Sequence, residues 1–431
     1  MQCPWATHSI AIQTPFRAIL RAMASVEHPL RARRSDFPAL AQTVHGRPLI
    51  YLDHASTSQK PQYVLDRLLA AYIERCGNVH RGVHTLSQTA TRDFEAVRDQ
   101  VRALLGAPSP DSVVFTRGTT ESLNLIAHSL GPLRVGPGDE VLVTELEHHS
   151  NFVPWQVLCH ARGARLLVAP IAPSGQLDLG ALAKLLSPRT RIVACTHASN
   201  VTGTVVDVQR VCELAKRVGA VTVIDGAQAV PHLPVDVQQL GCDFYCFSAH
   251  KLMGPWGVGV LWGRKELLAE MPPWQTGGGM VLSVTAERTE YQPAPHRFEA
   301  GTPAVAEVIG LGAAIHYLHE LGLHRIAAQE AELLDGAIRK LSQVPGLRLL
   351  VPEGPKVPVL SFVMEGVHPH DVGTALDLEG IAVRAGLHCA EPLFAALAVR
   401  GSVRVSLAFY NTDEEIDALC DALCHIGKLF R

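Results

Sequence analysis

Short runs of β-branched and apolar residues alternate along the chain with longer stretches whose apolar positions recur every three to four residues. A continuous apolar run bounded by turn residues reads as a buried strand, and i, i+3, i+4, i+7 spacing reads as an amphipathic helix. The first pattern predicts strands at 112–116, 140–144, 165–169, 192–196, 221–225, 244–248 and 257–262. The second predicts a helix beginning near Ser122 and carrying Leu123, Ile126, Ala127 and Leu130, and another over 208–218. Strands alternating with helices imply a mostly parallel sheet covered on both faces.

The rhythm breaks between 271 and 296, where Pro272-Pro273, Gly277-Gly278-Gly279 and Pro293-Ala294-Pro295 read as loop. Beyond Arg297 the pattern predicts helices over 304–321 and 324–343, divided by Gly322, then short strands at 347–351, 359–363 and 402–406 and a helix over 413–430. The expected architecture is α/β, with a mostly parallel sheet in a large domain over 49–296 and a smaller α+β domain over 297–431. Residues 23–48 are expected to pack with the smaller domain. The first 22 residues hold Arg17 and Arg21 but no Asp or Glu, and Pro4 and Pro15 interrupt any helix. They lack the apolar region and cleavage motif of a signal peptide, so translation is expected to begin at Met23.

Composition narrows the classes of function. The 431 residues carry 38 Lys+Arg and 41 Asp+Glu, a formal charge of −3, and no basic block, which argues against nucleic acid as the main partner. No apolar run approaches the roughly 20 residues that span a bilayer. Ten cysteines are scattered without a Cys-x-x-Cys pair, so they are expected to be reduced thiols of a cytoplasmic protein, with no metal site and at most one reactive member.

Several residues bear candidate chemistry. Lys251, in Ser248-Ala249-His250-Lys251, follows the apolar strand 244–248. At the mouth of a buried strand, a desolvated lysine is a nucleophilic amine able to form a Schiff base; a lysine whose head snorkels to water fits the same position. Asp225 closes its strand at the edge where α/β sheets bind ligands. A lysine paired with a carboxylate is what pyridoxal phosphate (PLP) requires of a protein, although Asp225 could equally cap the turn that follows. Thr119 and Thr120, between a strand and a helix, offer a phosphate cradle or a helix cap. His148 follows a strand at the same edge and could stack on a flat ring. Cys389 lies near Arg384 and His388, whose positive charge would favour the thiolate. Arg404, charged within a strand, calls for a buried anion such as a substrate carboxylate.

These residues fall in segments that resemble the fold-type I, class V aminotransferase-like PLP enzymes, and most closely the Suf-type (group II) cysteine desulfurases and selenocysteine lyases. The matching segments are Tyr51-Leu52-Asp53, 78–85, 117–121, Glu147-His148-His149, Ser199-Asn200-Val201, 225–228, 248–251, 297–303 and 384–392, spread over 26–430. The Lys and Asp motifs are general to the superfamily, whereas Arg-x-Gly-x-His-Cys-Ala is particular to this group. The resemblance implies that Lys251 binds PLP, Asp225 pairs with the pyridine nitrogen, His148 stacks on the ring and Gln228 bonds the ring hydroxyl. It implies that Thr119, Thr120, Ser248 and His250 hold the phosphate, with Thr302 reaching in from the partner subunit of a homodimer. Asn200 and Arg404 would bind the substrate carboxylate, with Arg384 close by, and Cys389 would attack the substrate sulfur. The implied reaction converts L-cysteine to L-alanine and a persulfide on Cys389, which an acceptor protein takes for iron–sulfur cluster assembly. The alternatives are a selenocysteine lyase, a kynureninase-like hydrolase or epimerase, and a non-catalytic sulfur relay. Three places depart from the pattern: His54-Ala55-Ser56, Ala249, and Trp256, which is expected to alter the cavity.

Overall fold

The computed structural model describes residues 30–430; the expectations for 1–22 and for the start of 23–48 lie outside them. Seven strands form the main sheet: β1 (Val113–Thr116), β2 (Glu140–Thr144), β3 (Arg165–Ala169), β4 (Thr190–Thr196), β5 (Val221–Asp225), β6 (Phe244–Ser248) and β7 (Gly259–Gly263). Their spatial order is β1-β7-β6-β5-β4-β2-β3. All neighbours run parallel except β7, which is antiparallel to both β1 and β6. Every residue of β2, β6 and β7 is buried, as expected of strands covered on both faces.

Four further strands build a second, antiparallel sheet: β8 (Leu347–Leu350), β9 (Val359–Met364), β10 (Arg384–Gly386) and β11 (Ser402–Ser406), in the order β8-β9-β11-β10. The helix Asp413–Leu429 buries Ile416, Leu419, Leu423 and Ile426 against it. A capping box of Thr412 and Glu415 opens that helix. The two sheets meet through residues near the chain start. Ile50–Tyr51 pairs with Ile381–Ala382, and Asp53 bridges to Ser406. The Phe37 ring lies 4.1 Å from that of Tyr410, tilted by 39°, and Arg31 and Arg34 pair with Asp413 and Glu415.

The hydrophobic pattern located the strands it predicted to within two residues of their ends and gave no sign of β10, none of whose three residues is buried. It missed a hairpin: Val281–Val284 and Thr289–Tyr291 pair antiparallel inside the stretch expected to be loop. These strands are short, and Leu282 and Val284 are exposed, so no buried alternation marks them. The helix expected near Ser122 begins at Thr119, with Gly118 at its N-cap.

Two glycines bring that helix start against the sheet. Gly259 opens β7 between Thr116 and Ser248, and a Cβ there would lie 2.3 Å from the Gly118 Cα. The backbone atoms it would meet belong to the loop that starts the helix, so no flexible side chain can yield. Gly259→Ala is therefore expected to cost about 1–3 kcal/mol through overpacking, read as a lowered urea midpoint with an unchanged m-value.

Candidate active site

The carboxyl ends of β1, β2, β4, β5 and β6 open on one side of the sheet, and the loops of the second sheet close over them. Between them lies a cavity of about 360 Å³ lined by Lys251, Asp225, His148, Thr119, Thr120, Ser248, His250, Gln228, Asn200, Arg384, Arg404 and Cys389. All the residues singled out in the sequence therefore face one space, except Thr302. That residue lies by a separate opening with His80, Arg81 and Gly278-Gly279.

At the floor, Asp225 ends β5 and Lys251 ends the short turn after β6. Burial pushes the Asp225 carboxyl up and the Lys251 amine down, and each is resisted by the opposite charge of the other. Asp225 Oδ1 also accepts from the Ala227 N–H at 2.9 Å, so the capping role exists beside the pairing with lysine. Gln228 donates its Nε2 to the Ala55 carbonyl at 2.7 Å, anchoring the turn after β5 to the chain start.

One wall is rich in hydroxyls. Ser248 Oγ accepts from the Thr119 N–H at 2.9 Å and lies 2.8 Å from Thr119 Oγ1, and Thr120 Oγ1 lies 2.7 Å from Ser150 Oγ. The N-cap residue, Gly118, has no side chain to offer, so the capping alternative for Thr119 and Thr120 falls away, and Ser248 Oγ takes up the first N–H of the helix instead. His250 keeps a buried Nδ1 with no partner.

His148 stands between the hydroxyl wall and the floor. Burial, then the charge of Lys251, lowers its pKa to about 4. The Ser150 N–H donates to His148 Nδ1 at 3.1 Å, which makes Nδ1 the acceptor and leaves the proton of the neutral ring on Nε2. Beneath it, Glu147 is buried and held by Thr144, Asn151 and the Thr196 N–H, and burial raises it to about 8. The sequence reading quoted Glu147 and gave it no role, since only the fold puts it under the cavity.

The opposite wall carries the arginines. Arg404 is buried, and its anion is internal: Nη2 donates to Asp53 Oδ1 at 3.0 Å and Nη1 to the Asn200 carbonyl at 3.0 Å, while Nε stays unpaired. Asp53 Oδ2 also accepts from Arg384 at 2.8 Å. One carboxylate thus stands between two guanidiniums: Asp53 fixes Arg404 in place, and the pair of arginines keeps a positive charge towards the cavity. Asp53 carried no charge-pattern signal, being separated from Arg404 by 351 positions.

Cys389 faces the cavity on a strained loop. His388 and Cys389 both adopt left-handed backbone, at φ 50° and 55°. Asn200 Nδ2 donates to the His388 carbonyl and the His149 N–H to the Cys389 carbonyl, both at 2.8 Å. Of the described cysteines, Cys76 and Cys389 are exposed; Cys195, Cys242 and Cys246 are buried, which pushes their thiols well up. His388 does not supply the positive charge expected of it. Its Nε2 meets Ser402 Oγ at 2.9 Å, and burial beside Arg404 and Arg384 lowers it to about 3, so it is neutral. Trp256 does not shape the cavity either, since it is 67% exposed with Lys60 Nζ 4.7 Å above its ring.

A family model described as aminotransferase class-V matches residues 50–419. The probable cysteine desulfurase of Mycolicibacterium paratuberculosis is 50% identical over 397 residues, which are 92% of this chain and 58% of that protein. The cysteine desulfurase of Serratia proteamaculans is 49% identical over 403 residues, covering 93% of this chain and 99% of that one. The chain spans only about three fifths of the length of several curated relatives it matches. Among solved structures, the cysteine desulfurase CsdA of Escherichia coli superposes with a TM-score of 0.87 at 41% identity, covering 94% of this chain and all of that one.

His54 and His388 are both buried and neutral, each lowered to about 3 from 6.5. Between those values the unfolded chain binds protons that the folded chain refuses, so stability is full above pH 6.5 and falls as the pH drops below it. Buried Glu147, raised to about 8, titrates in the opposite sense, so the histidine pair is read by difference: relative to a variant lacking both, the unaltered protein's denaturation midpoint is expected to drop between pH 6.5 and 5.5. The double variant His54→Asn with His388→Asn should fall less steeply.

Proposed function

The chain belongs to the class-V aminotransferase family, and from that premise we propose that it is a PLP-dependent cysteine desulfurase of the Suf type. The observation that carries the reading is that Cys389, on its strained loop, lines the same cavity as the Lys251–Asp225 pair. A non-catalytic relay would need no such pair.

The groups in the cavity suit PLP. A buried amine and a buried carboxylate sit on its floor, a helix start with four hydroxyls around it forms one wall, and His250 leaves a buried nitrogen without a partner. Lys251 would hold the cofactor through Nζ and Asp225 its ring nitrogen. Gln228 would meet the ring hydroxyl and His148 the ring face. Thr119, Thr120, Ser248 and His250 would take the phosphate, with Thr302 from the partner of a homodimer. Once bound, PLP supplies an electron sink that lets the substrate α-carbon give up its proton.

The protein's own groups do the rest. Arg404, fixed by Asp53, and the more exposed Arg384 present guanidinium N–H groups to the substrate carboxylate, beside Asn200. Lys251 Nζ takes the α-proton, and neutral His148 offers the proton on Nε2. Cys389 Sγ then attacks the substrate sulfur. A sulfur–sulfur bond forms and the carbon–sulfur bond breaks with its electron pair moving to carbon. The carbon gains a proton, leaving L-alanine and a Cys389 persulfide. An acceptor protein for iron–sulfur cluster assembly would collect that sulfur in the cytoplasm. The unpaired state of all described cysteines supports a reducing compartment. In this reading 49–296 is the cofactor-binding domain and 297–431 the smaller domain that brings the cysteine loop.

Mass spectrometry of the protein after L-cysteine should find one added sulfur atom on Cys389. Cys389→Ala is expected to keep the absorbance of bound PLP and to lose alanine production by at least about a hundredfold. Alanine formation at the unaltered rate in that variant would falsify the nucleophile and favour a selenocysteine lyase or a hydrolase, which assays with L-selenocysteine and kynurenine would separate. Lys251→Ala should yield no borohydride-trapped cofactor.

A further inference from the structure

A second cluster of chemistry lies away from Cys389 and Lys251, and neither the fold nor the proposed reaction uses it. His80, Glu95 and His296 each point a ligand atom into one spot, all within 4.8 Å of one another. The three come from separate segments: the loop before the helix Thr85–Leu104, that helix itself, and the short turn His296–Phe298.

Each is oriented by contacts of its own. His80 takes left-handed backbone at φ 72°, its N–H donating to Thr91 Oγ1 at 2.8 Å, and its ring meets Phe94 edge-on. The same ring stands 5.2 Å from that of His296. Glu95 Oε1 lies 2.8 Å from His80 Nε2, and Arg98 fixes Glu95 Oε2 from behind at 2.8 Å. Arg98 Nη2 also reaches Glu95 Oε1 at 3.2 Å, and its Nη1 and Nη2 donate to Glu299 as well, so two carboxylates share one guanidinium and with neutral imidazoles the cluster has one negative charge to offer a cation. Both histidines line an opening of about 430 Å³ beside Gly278, Gly279 and Thr302, a face that the proposed homodimer turns towards the partner subunit, with room for a water ligand.

We propose that His80, Glu95 and His296 form a binding site for a zinc-class divalent cation. Two imidazoles and one carboxylate are the ligands of borderline ions such as zinc, cobalt and nickel, and are a poor set for calcium or magnesium. Bonds of about 2.1 Å place ligand atoms roughly 3.3 Å apart. The His80–Glu95 contact must therefore open slightly and the His296 ring move inward by about an ångström. Arg98 and Glu299 supply the outer shell that holds the first. A cation here ties the 78–84 loop to the segment that ends in Gly301-Thr302. The sequence held no sign of it, because 216 positions separate His80 from His296 (296 − 80).

The test is Co²⁺ titration of the PLP-loaded protein in a Cys389→Ser background, followed by its visible d–d absorption and by displacement with Zn²⁺. One Co²⁺ per chain is expected, with no thiolate charge-transfer band. His80→Gln, which keeps a donor for Glu95, and His296→Gln should each weaken binding at least about tenfold, while melting without metal shows both variants folded. Glu95→Gln is the third arm should either histidine variant fail to fold. Binding that survives these substitutions, or none below about millimolar Co²⁺, overturns the site. Co²⁺ binding of this kind, together with no alanine from L-cysteine in the protein that retains Cys389, would overturn the proposed function and leave the site standing.

Discussion

The site depends on the parallel register of β4, β5 and β6. Hydrogen bonding sets Thr196 beside Asp225 and Asp225 beside Cys246, so that each strand ends at the same edge with a polar group. A slip of one residue would turn Asp225 to the opposite face, into apolar side chains where its charge has no partner. The reversed strand β7 completes the edge from the other side. Its first glycine lets the loop at Gly118 come down onto Ser248, which sets the hydroxyls of Thr119 and Ser248 against one another.

A second joint lies at Asp53. Its carboxylate accepts from Arg384, Arg404 and Ser56, and its backbone bridges Ser406. Burying Arg404 would be costly without this partner. With it, the guanidinium is held rigidly at the cavity wall, its orientation fixed by the protein. The pairing also couples the second sheet to the chain start, so the loop bearing Cys389 is referenced to the same frame as the lysine on the first sheet. Two donors, from Asn200 and His149, then hold the strained turn at His388-Cys389 down on that frame.

Burial separates Cys389 from the enclosed cysteines. Cys195, Cys242 and Cys246 are enclosed in apolar packing, where a thiolate is heavily penalised. Cys389 is exposed and lines the cavity. The histidines around the cavity follow the same rule. His148, His250 and His388 are all held neutral by burial and by neighbouring cations, so they hold or deliver protons and do not act as fixed charges.

The sequence by itself determined the strands of the main sheet, most of the second group of helices and strands apart from β10 and the helix Pro369–Leu378, and the residues that converge on the cavity. Strand periodicity and residues such as Asp225, Lys251 and Cys389 at element ends are local properties, legible without contacts. The tertiary structure decided what depends on pairing across hundreds of positions. It made Asp53 the anion for Arg404, left His388 without charge, moved Trp256 out of the cavity, and gathered His80, Glu95 and His296. The hairpin over Val281–Tyr291 escaped notice for a related reason: its strands are short and open to solvent, so they carry no buried alternation. Charge state and partnership follow from burial and from neighbours distant in the chain, and those exist only once the sheets have closed on one another.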